Sequence, residues 1–218
     1  MIKNLLIVMM VLCFSACKTS TEEISLSDAD YLPLKVGEVK QYNIDSILYN
    51  PFTQAADSVH LDIQEQVVEK YLDAENDSAF RLTWSMYDSS RNEWKVFKSF
   101  SRKRSNNMVY ETFDNQTLAL LRLPISQYNT GVKGKWNIHF KNTLDPIPIY
   151  YSSVFKPFGN YKNTVTTQLA NPEQGIVVRN YQAVYAANFG LVYKAIEMTD
   201  ELTGNKIKNG WIVVQSIK

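Results

Sequence analysis

Catalysis and metal binding each require particular side chains, and the 218-residue chain supplies few of them. Its two histidines, His60 and His139, are far apart in the sequence, and neither has a second ligand at the short spacing of a zinc site. Both fall on the polar face of a predicted strand. We therefore expect two exposed strand histidines and no metal site.

Acidic residues are the minimum requirement of a glycoside hydrolase, which needs two carboxyl groups flanking one bond. Asp73, Glu75 and Asp77 form one acidic group, and Asp200 with Glu201 forms another. Both groups fall in predicted turns, where acids are common because turns are exposed to water. A catalytic acid instead needs a partly buried cleft that shifts its pKa. A glycan hydrolase is therefore an alternative that requires two acids to converge at about 5 to 9 Å in one cleft.

Nucleophilic catalysis has no clear candidate either. The sequence contains no Gly-x-Ser-x-Gly motif, and its two cysteines, Cys13 and Cys17, both lie at the amino-terminal end. We expect no catalytic nucleophile, no cofactor and no enzymatic activity.

The amino-terminal segment carries the clearest chemical signal. Lys3 precedes an apolar run, 5–14, which closes on Ser15 and Ala16 directly before Cys17. A charged residue, an apolar run and small residues are the parts of a secretory signal, and the run is far shorter than the ~20 residues that cross a bilayer. The tetrapeptide Phe-Ser-Ala-Cys that ends at Cys17 resembles a bacterial lipobox with Phe in place of the usual Leu. That resemblance implies cleavage after residue 16 and attachment of lipid, with acyl chains such as palmitate, to Cys17.

The segment after Cys17 bears on location and on partners. Residues 17–30 are rich in Ser, Thr and acids, which suits a flexible tether between a membrane anchor and a folded domain at 31–218. Lys18 takes the position where Asp would retain a lipoprotein in the inner membrane, so an outer-membrane lipoprotein is favoured, facing either the periplasm or the cell surface. The net charge of +1 gives no field that would attract nucleic acid.

The elements that must position these residues are strands. From Val39 onward apolar and polar residues alternate with a period of two, most clearly at 59–63, 80–86 and 136–140. Turns rich in Asn, Asp, Ser and Gly separate the strands, and they are too short to hold the helix that joins parallel strands. We predict an all-β fold, an antiparallel meander or open half-barrel. Residues 64–72 could be helical by propensity, and we predict a strand there.

The chain also contains a short internal echo. A Pro, a Gly and then an aromatic-Asn-Ile strand open both the segment at 33–44 and the segment at 124–138. Two similar β lobes, 31–123 and 124–218, are therefore possible within one continuous sheet.

Two clusters could bind a ligand or a surface. Aromatic rings on irregular loops are common binding platforms, and the densest aromatic group lies between Pro148 and Tyr161. We predict it as the candidate ligand-binding site, formed by Tyr150, Tyr151, Phe155, Phe158 and Tyr161. The only basic cluster, 102–104, could contact anionic lipid headgroups, but we interpret it as a solvated strand end that discourages edge pairing.

Three stretches carry a resemblance to known proteins. They are Tyr-Leu-Pro-Leu-Lys-Val-Gly at 31–37, Gly-Lys-Trp-Asn at 134–137 and Phe-Gly-Leu-Val-Tyr-Lys at 189–194. Together they resemble a group of uncharacterised bacterial envelope lipoproteins, whose opening motif usually leads into a Trp-x-Tyr strand. Here Val39 to Tyr42 lacks that Trp. The resemblance implies a secreted, β-rich, lipid-anchored protein, and its motifs are folding features without an assigned chemistry.

These observations lead to three hypotheses about function. The first is a non-catalytic lipoprotein that presents a β-rich binding or assembly domain to an envelope protein or a glycan. The second is a carrier of a lipid or another apolar ligand in a half-barrel cavity. The third is the glycan hydrolase. An open interior would favour the carrier, and a solid interior would exclude it.

Overall fold

A computed structural model describes residues 28–53, 55–127, 135–140, 147–170, 177–202 and 206–218. Two short 3-10 helices, Asp28–Tyr31 and Ile125–Gln127, accompany thirteen strands in the described chain. The strands are β1 (Val39–Tyr49), β2 (Ala56–Leu72), β3 (Ser78–Asp88), β4 (Glu93–Ser105), β5 (Met108–Phe113), β6 (Gln116–Arg122), β7 (Trp136–Asn137), β8 (His139–Phe140), β9 (Pro148–Phe158), β10 (Tyr161–Leu169), β11 (Val177–Ala186), β12 (Gly190–Leu202) and β13 (Lys206–Ile217).

All thirteen strands belong to one antiparallel sheet. Strands β1 to β6 and strands β9 to β13 each pair with their neighbours in sequence, and β13 returns to pair with β1, for example with Ile44 opposite Gln215. The two runs therefore form one continuous meander of long hairpins. The predicted all-β, antiparallel, half-barrel class is confirmed, and the halves share one sheet.

The sheet curls until its two edges face each other, and residues 136–140 lie between those edges. We call these residues the closing segment. On one side β7 pairs with β9, and on the other β8 pairs with β6. At the bend between them, Ile138 donates its N–H to the carbonyl of Ile147 at 2.9 Å, and its carbonyl accepts from the N–H of Ala119 at 2.5 Å. The barrel is nearly closed, with one unsealed seam. The single strand predicted at 136–140 is instead broken at Ile138.

One end of the barrel is covered by the chain that enters it. The first 3-10 helix lies across the end at which β1 begins and β13 finishes, where Asn188 donates its N–H to the carbonyl of Asp30 at 2.7 Å. Arg104 donates to the carbonyls of Ala29 and Leu32. We call this the closed end. At the opposite end, where β1 finishes and β13 begins, the described residues form only strand ends and hairpin turns, and we call it the open end.

Several local predictions can be compared with the structure. Residues 64–72 continue β2 as a strand, as predicted, because Glu65 and Val67 face Trp84 and Leu82 across the ladder. The predicted turns contain asparagines with positive φ, such as Asn76 at 60° and Asn92 at 55°. The turn predicted at 200–201 was wrong, because β12 runs on to Leu202 in a ladder with β13.

The two copies of the sequence echo adopt different structures. The first aromatic-Asn-Ile triplet lies within the long strand β1, whereas the second forms the bend of the closing segment. Similarity between the proposed lobes stays a prediction. No helix in the described ranges is long and apolar enough to cross a membrane.

Candidate functional site

The register of the ladders defines which side chains face the interior. Directly paired residues of an antiparallel sheet point to the same side. Ala183, Lys194, Gln215, Ile44 and Leu61 follow one another across β11, β12, β13, β1 and β2, and they therefore form one inward-facing row. Alternate residues along each of these strands share that inner face.

The interior holds a cavity of about 550 Å³ toward the open end. It lies between β6 and the closing segment on one side and β11 to β13 on the other. Most of its wall is apolar, formed by Leu118, Leu120, Ile138, Ile147, Leu169, Ile196, Met198 and Trp211. Its polar lining includes Arg179 near the open end and Lys194 deeper inside. The volume is within the range of small-molecule sites, about 300–1,000 Å³.

Beside the cavity lies a cluster of buried charges. Arg102, 5% exposed, donates from Nη1 and Nη2 to the carboxylate of Glu65 at 2.7 and 2.9 Å. Its Nε–H donates to Glu111 Oε2 at 2.8 Å, and Trp84 Nε1–H donates to Glu65 Oε2 at 2.9 Å. A guanidinium fork matched to a carboxylate is a strong, directional pair.

Mutual attraction keeps this cluster ionised. Burial alone would raise the pKa of Glu65, but the charge and hydrogen bonds of Arg102 hold that pKa below its usual value. Burial likewise opposes the charge on Arg102, and the two carboxylates overcome it, so the pKa of the guanidinium is raised. Neither group is therefore poised to exchange a proton near neutral pH.

Two further cations face the same interior. Lys98 Nζ lies 4.1 Å from the ring centre of Phe113 and 4.6 Å from that of Trp84, within range of cation–π attraction. Lys194 lies across the ladder from Gln215. Burial lowers the pKa of both lysines.

The basic cluster predicted as a solvated strand end was wrong. Arg102 is buried because its position in β4 is in phase with the buried Phe100. Lys103 and Arg104 are also engaged, Lys103 with acids of the β2–β3 turn and Arg104 with backbone at the closed end. The signal that sequence reasoning missed is a charged residue at an inward position of an alternating strand. Glu65, Arg102 and Lys194 all meet that description.

The predicted aromatic platform is divided between the interior and the outside of the barrel. Tyr151 is 1% exposed, its ring centre lies 4.9 Å from that of Trp136, and its hydroxyl bonds the backbone N–H and carbonyl of Arg122 at 2.9 and 2.7 Å. It is part of the core. Tyr150 is the adjacent residue of β9, opposite Gln168 in the ladder, and is partly exposed.

The other three aromatic residues make separate contacts. Phe155 packs near Tyr31, with ring centres 6.1 Å apart. Phe158 contacts Tyr193, and Tyr161 contacts Phe189, at 5.6 and 5.1 Å between ring centres. The structure does not bring the five residues into one surface. A ligand-binding role for them stays a prediction.

The remaining candidates for chemistry are exposed or outside the described residues. His60 donates from Nδ1–H to Asp45 Oδ1 at 2.6 Å, and this hydrogen bond raises the pKa of the histidine. Cys17 and the side chain of His139 lie outside the described part of the chain.

The acids of the β2–β3 turn already surround a cation. Lys103 Nζ lies 2.6 Å from Asp73 and from Glu75 and 3.5 Å from Asp77. These three acids are the one group in the described ranges whose oxygens are close enough to share a metal ion, and the ammonium takes that position. They lie away from the interior cavity, and Asp73 and Glu75 line a separate pocket together with Lys103.

Comparisons with known proteins give only distant likenesses. No protein-family model matches the chain, and no curated protein matches it. A crystal structure of a lipoprotein candidate from Parabacteroides distasonis ATCC 8503 is 10% identical, with a TM-score of 0.44 over 86% of this chain and 98% of that one. A candidate exported protein with a YmcC-like fold from Bacteroides fragilis NCTC 9343 is 12% identical, with a TM-score of 0.36 over the same shares.

Proposed function

We propose that this chain is a non-catalytic, lipid-anchored protein of the bacterial outer membrane whose barrel holds an elongated apolar ligand. The anchor is proposed from the sequence that ends at Cys17. The observation that carries the binding role is the apolar cavity of about 550 Å³ inside the barrel. Close packing is the norm in protein interiors, so a void of this size is a feature that needs a reason.

The apolar wall continues from the cavity to the open end. Leu48 lies opposite Trp211 in the ladder, and Phe113 lies opposite Gln116, so both extend the inner face beyond residues that line the cavity. Both are exposed, as is Met86. An apolar ligand entering here would leave water gradually along a continuous surface.

The burial of an apolar chain in this cavity would favour binding. Each methylene removed from water contributes about 0.8 kcal/mol, so eight of them contribute about 6 kcal/mol. Loss of translational and rotational freedom offsets part of that gain. Since that loss is on the order of 4 kcal/mol or more, a longer chain or additional polar contacts would be needed for tight binding.

The test is a binding titration with the neutral apolar dye N-phenyl-1-naphthylamine, using full-length protein in lipid nanodiscs and subtracting empty nanodiscs. Filling the cavity by Ile196→Trp or Met198→Trp should weaken dye binding at least about tenfold. The matched control is Glu197→Trp, which adds the same side chain on the outer face of β12 and should leave binding unchanged. Absence of saturable binding, or equal losses in all three variants, would refute the proposal.

A second candidate function is docking to an envelope protein or a glycan. One specific observation favours it. The β3–β4 hairpin at the open end presents Tyr87 and Trp94 outward, with ring centres 5.5 Å apart, next to the exposed Val96 and Phe97. A photo-crosslinker at Trp94 should then capture one partner in cells, whereas the same group at the exposed Lys156 near the closed end should not.

A further inference from the structure

We infer that the ligand of the cavity is a single-chain anionic amphiphile, with its acidic head against Lys194 and Gln215 and its chain directed toward the open end. The inference rests on the proposed function and adds the chemical class of the ligand. It is carried by two donors that have no acceptor among the described residues, by an excess of positive charge and by the direction in which the apolar wall runs.

Lys194 is the first of the two donors. Lys194 lines the cavity, and its neighbour across the β11 ladder is Ala183, whose side chain is a single methyl group. Among the residues that the structure describes, none accepts a hydrogen bond from Lys194 or forms an ion pair with it. The two carboxylates nearby, the buried Glu65 and the partly buried Glu111, are both bound by Arg102.

The side-chain amide of Gln215 is the second donor. Gln215 is 3% exposed, and its side-chain nitrogen is buried without a hydrogen-bond partner. Buried donors are ordinarily satisfied, so the orphaned amide of Gln215, next to a residue that lines the cavity, points to an acceptor supplied from outside the chain. Gln215 and Lys194 are direct ladder partners, so one acidic group can reach both.

The excess of positive charge lies around Lys194. The charged groups that face it are Lys98 and Arg102, which are positive, and Glu65 and Glu111, which are negative. With Lys194 included, three cations face two carboxylates. Lys98 contacts aromatic rings rather than an acid, and it repels Lys194. One negative charge would balance the group, which fits a ligand with a single acidic head.

The direction of the apolar wall sets the direction of the chain. On the closed-end side of Lys194 the interior is filled by buried side chains, including Tyr42 and Tyr185. On the open-end side, Ile196 and Met198 follow Lys194 along the inner face of β12 and line the cavity. Among the described residues, the space that continues from Lys194 runs toward the open end, so an apolar chain attached to an acidic head there would extend in that direction.

The test compares three ligands with the same chain: decanoate, decyl phosphate and decanol. Titrations use the full-length protein in nanodiscs, with empty nanodiscs subtracted. Wild-type protein should bind at least one of the two anions about tenfold or more tighter than decanol, as a charge-assisted hydrogen bond ordinarily provides. The tighter anion identifies the head as carboxylate or phosphate.

Variants separate the inference from the proposed function. Lys194→Met should bring the preference for the anion over decanol down to about onefold while decanol still binds, and Lys194→Arg should retain the preference. Lys156→Met, at an exposed lysine, is the matched control. If Lys194→Met does not fold, Gln215→Met should still reduce the preference. Equal binding of anions and decanol by wild-type protein, or an unchanged preference in Lys194→Met, would overturn the inference. Failure of all three ligands to bind would instead refute the proposed function.

Discussion

Replacing Arg102 by methionine tests whether the buried charge cluster holds the interior together. Methionine keeps an unbranched apolar side chain but removes the guanidinium. The carboxylates of Glu65 and Glu111 would then lose three hydrogen bonds of 2.7 to 2.9 Å at once. Glu65 is 3% exposed, so water cannot readily replace them.

The expected cost of Arg102→Met is large. Removing one partner of a buried ion pair ordinarily costs 3–5 kcal/mol, because an uncompensated charge is left behind, so we expect a loss of about 4 kcal/mol. With a urea m-value of about 2 kcal/mol/M, the unfolding midpoint should fall by about 2 M. Such a loss is a large fraction of the stability of an ordinary domain.

The variant should also reverse the response to acid. In the wild type the folded-state pKa of Glu65 lies below 4.5, so its contribution is present above that value and is lost as the pH falls through the folded-state pKa. In Arg102→Met, no cation compensates for the burial of Glu65, so the folded-state pKa of Glu65 is raised. The stability that Arg102→Met loses relative to the wild type should therefore decrease as the pH is lowered from 8 toward about 5, since the carboxyl group of Glu65 becomes neutral.

The assay is urea unfolding at both pH values, followed by circular dichroism. Arg81→Met is the matched control, because Arg81 pairs with Glu69 at 3.0 Å on the exposed outer face and its loss should cost less than about 1 kcal/mol. Adding Glu65→Gln and Glu111→Gln to Arg102→Met should recover most of the loss. A loss of unfolding free energy below about 1 kcal/mol in Arg102→Met, or a loss that increases as the pH is lowered, would contradict this reasoning.

Three further predictions concern single sites. Gly210→Ala should reduce the melting temperature far more than Gly159→Ala, because a Cβ at Gly210, where φ is +114°, would lie 2.1 Å from the carbonyl oxygen of Met198, whereas nothing lies within 4 Å of one at Gly159. Lys194→Met should raise the melting temperature of the ligand-free protein at neutral pH. The wild type should gain stability relative to this variant as the pH rises toward 10.5, since burial lowers the folded-state pKa of the lysine. Tyr151→Phe should cost about 1–3 kcal/mol in urea unfolding, because it leaves two backbone groups without their hydroxyl partner.

The strands could be predicted from the sequence because their pattern is local. Alternation at 59–63 requires only that one face of the strand be buried, and the turn residues between strands, such as Asn76, have their own backbone preferences. The hairpin order follows from short connections. The bend at Ile138 could not be predicted, since it depends on two sheet edges that meet only after the whole sheet has curled.

The site could be predicted only in outline. Arg102 and Glu65 are 37 residues apart in sequence, and each looks like an ordinary surface residue when read alone. The signal in the sequence is that a charged residue takes a position in the alternation that apolar residues otherwise hold. Glu65 follows Ile63 on the inward side of β2, and Lys194 precedes Ile196 on the inward side of β12. A charge at an inward position is buried if the sheet closes, and closure is a global property.

The placement of the two ends has a consequence for how a ligand would be exchanged. Asp28 lies at the closed end, where its carboxylate accepts from the N–H of Ile125 at 3.0 Å. With Cys17 acylated, as proposed, the intervening chain extends at most about 40 Å and joins the barrel at its closed end. A ligand held with its chain toward the open end would therefore leave the barrel at the end opposite to the one where the proposed tether joins it.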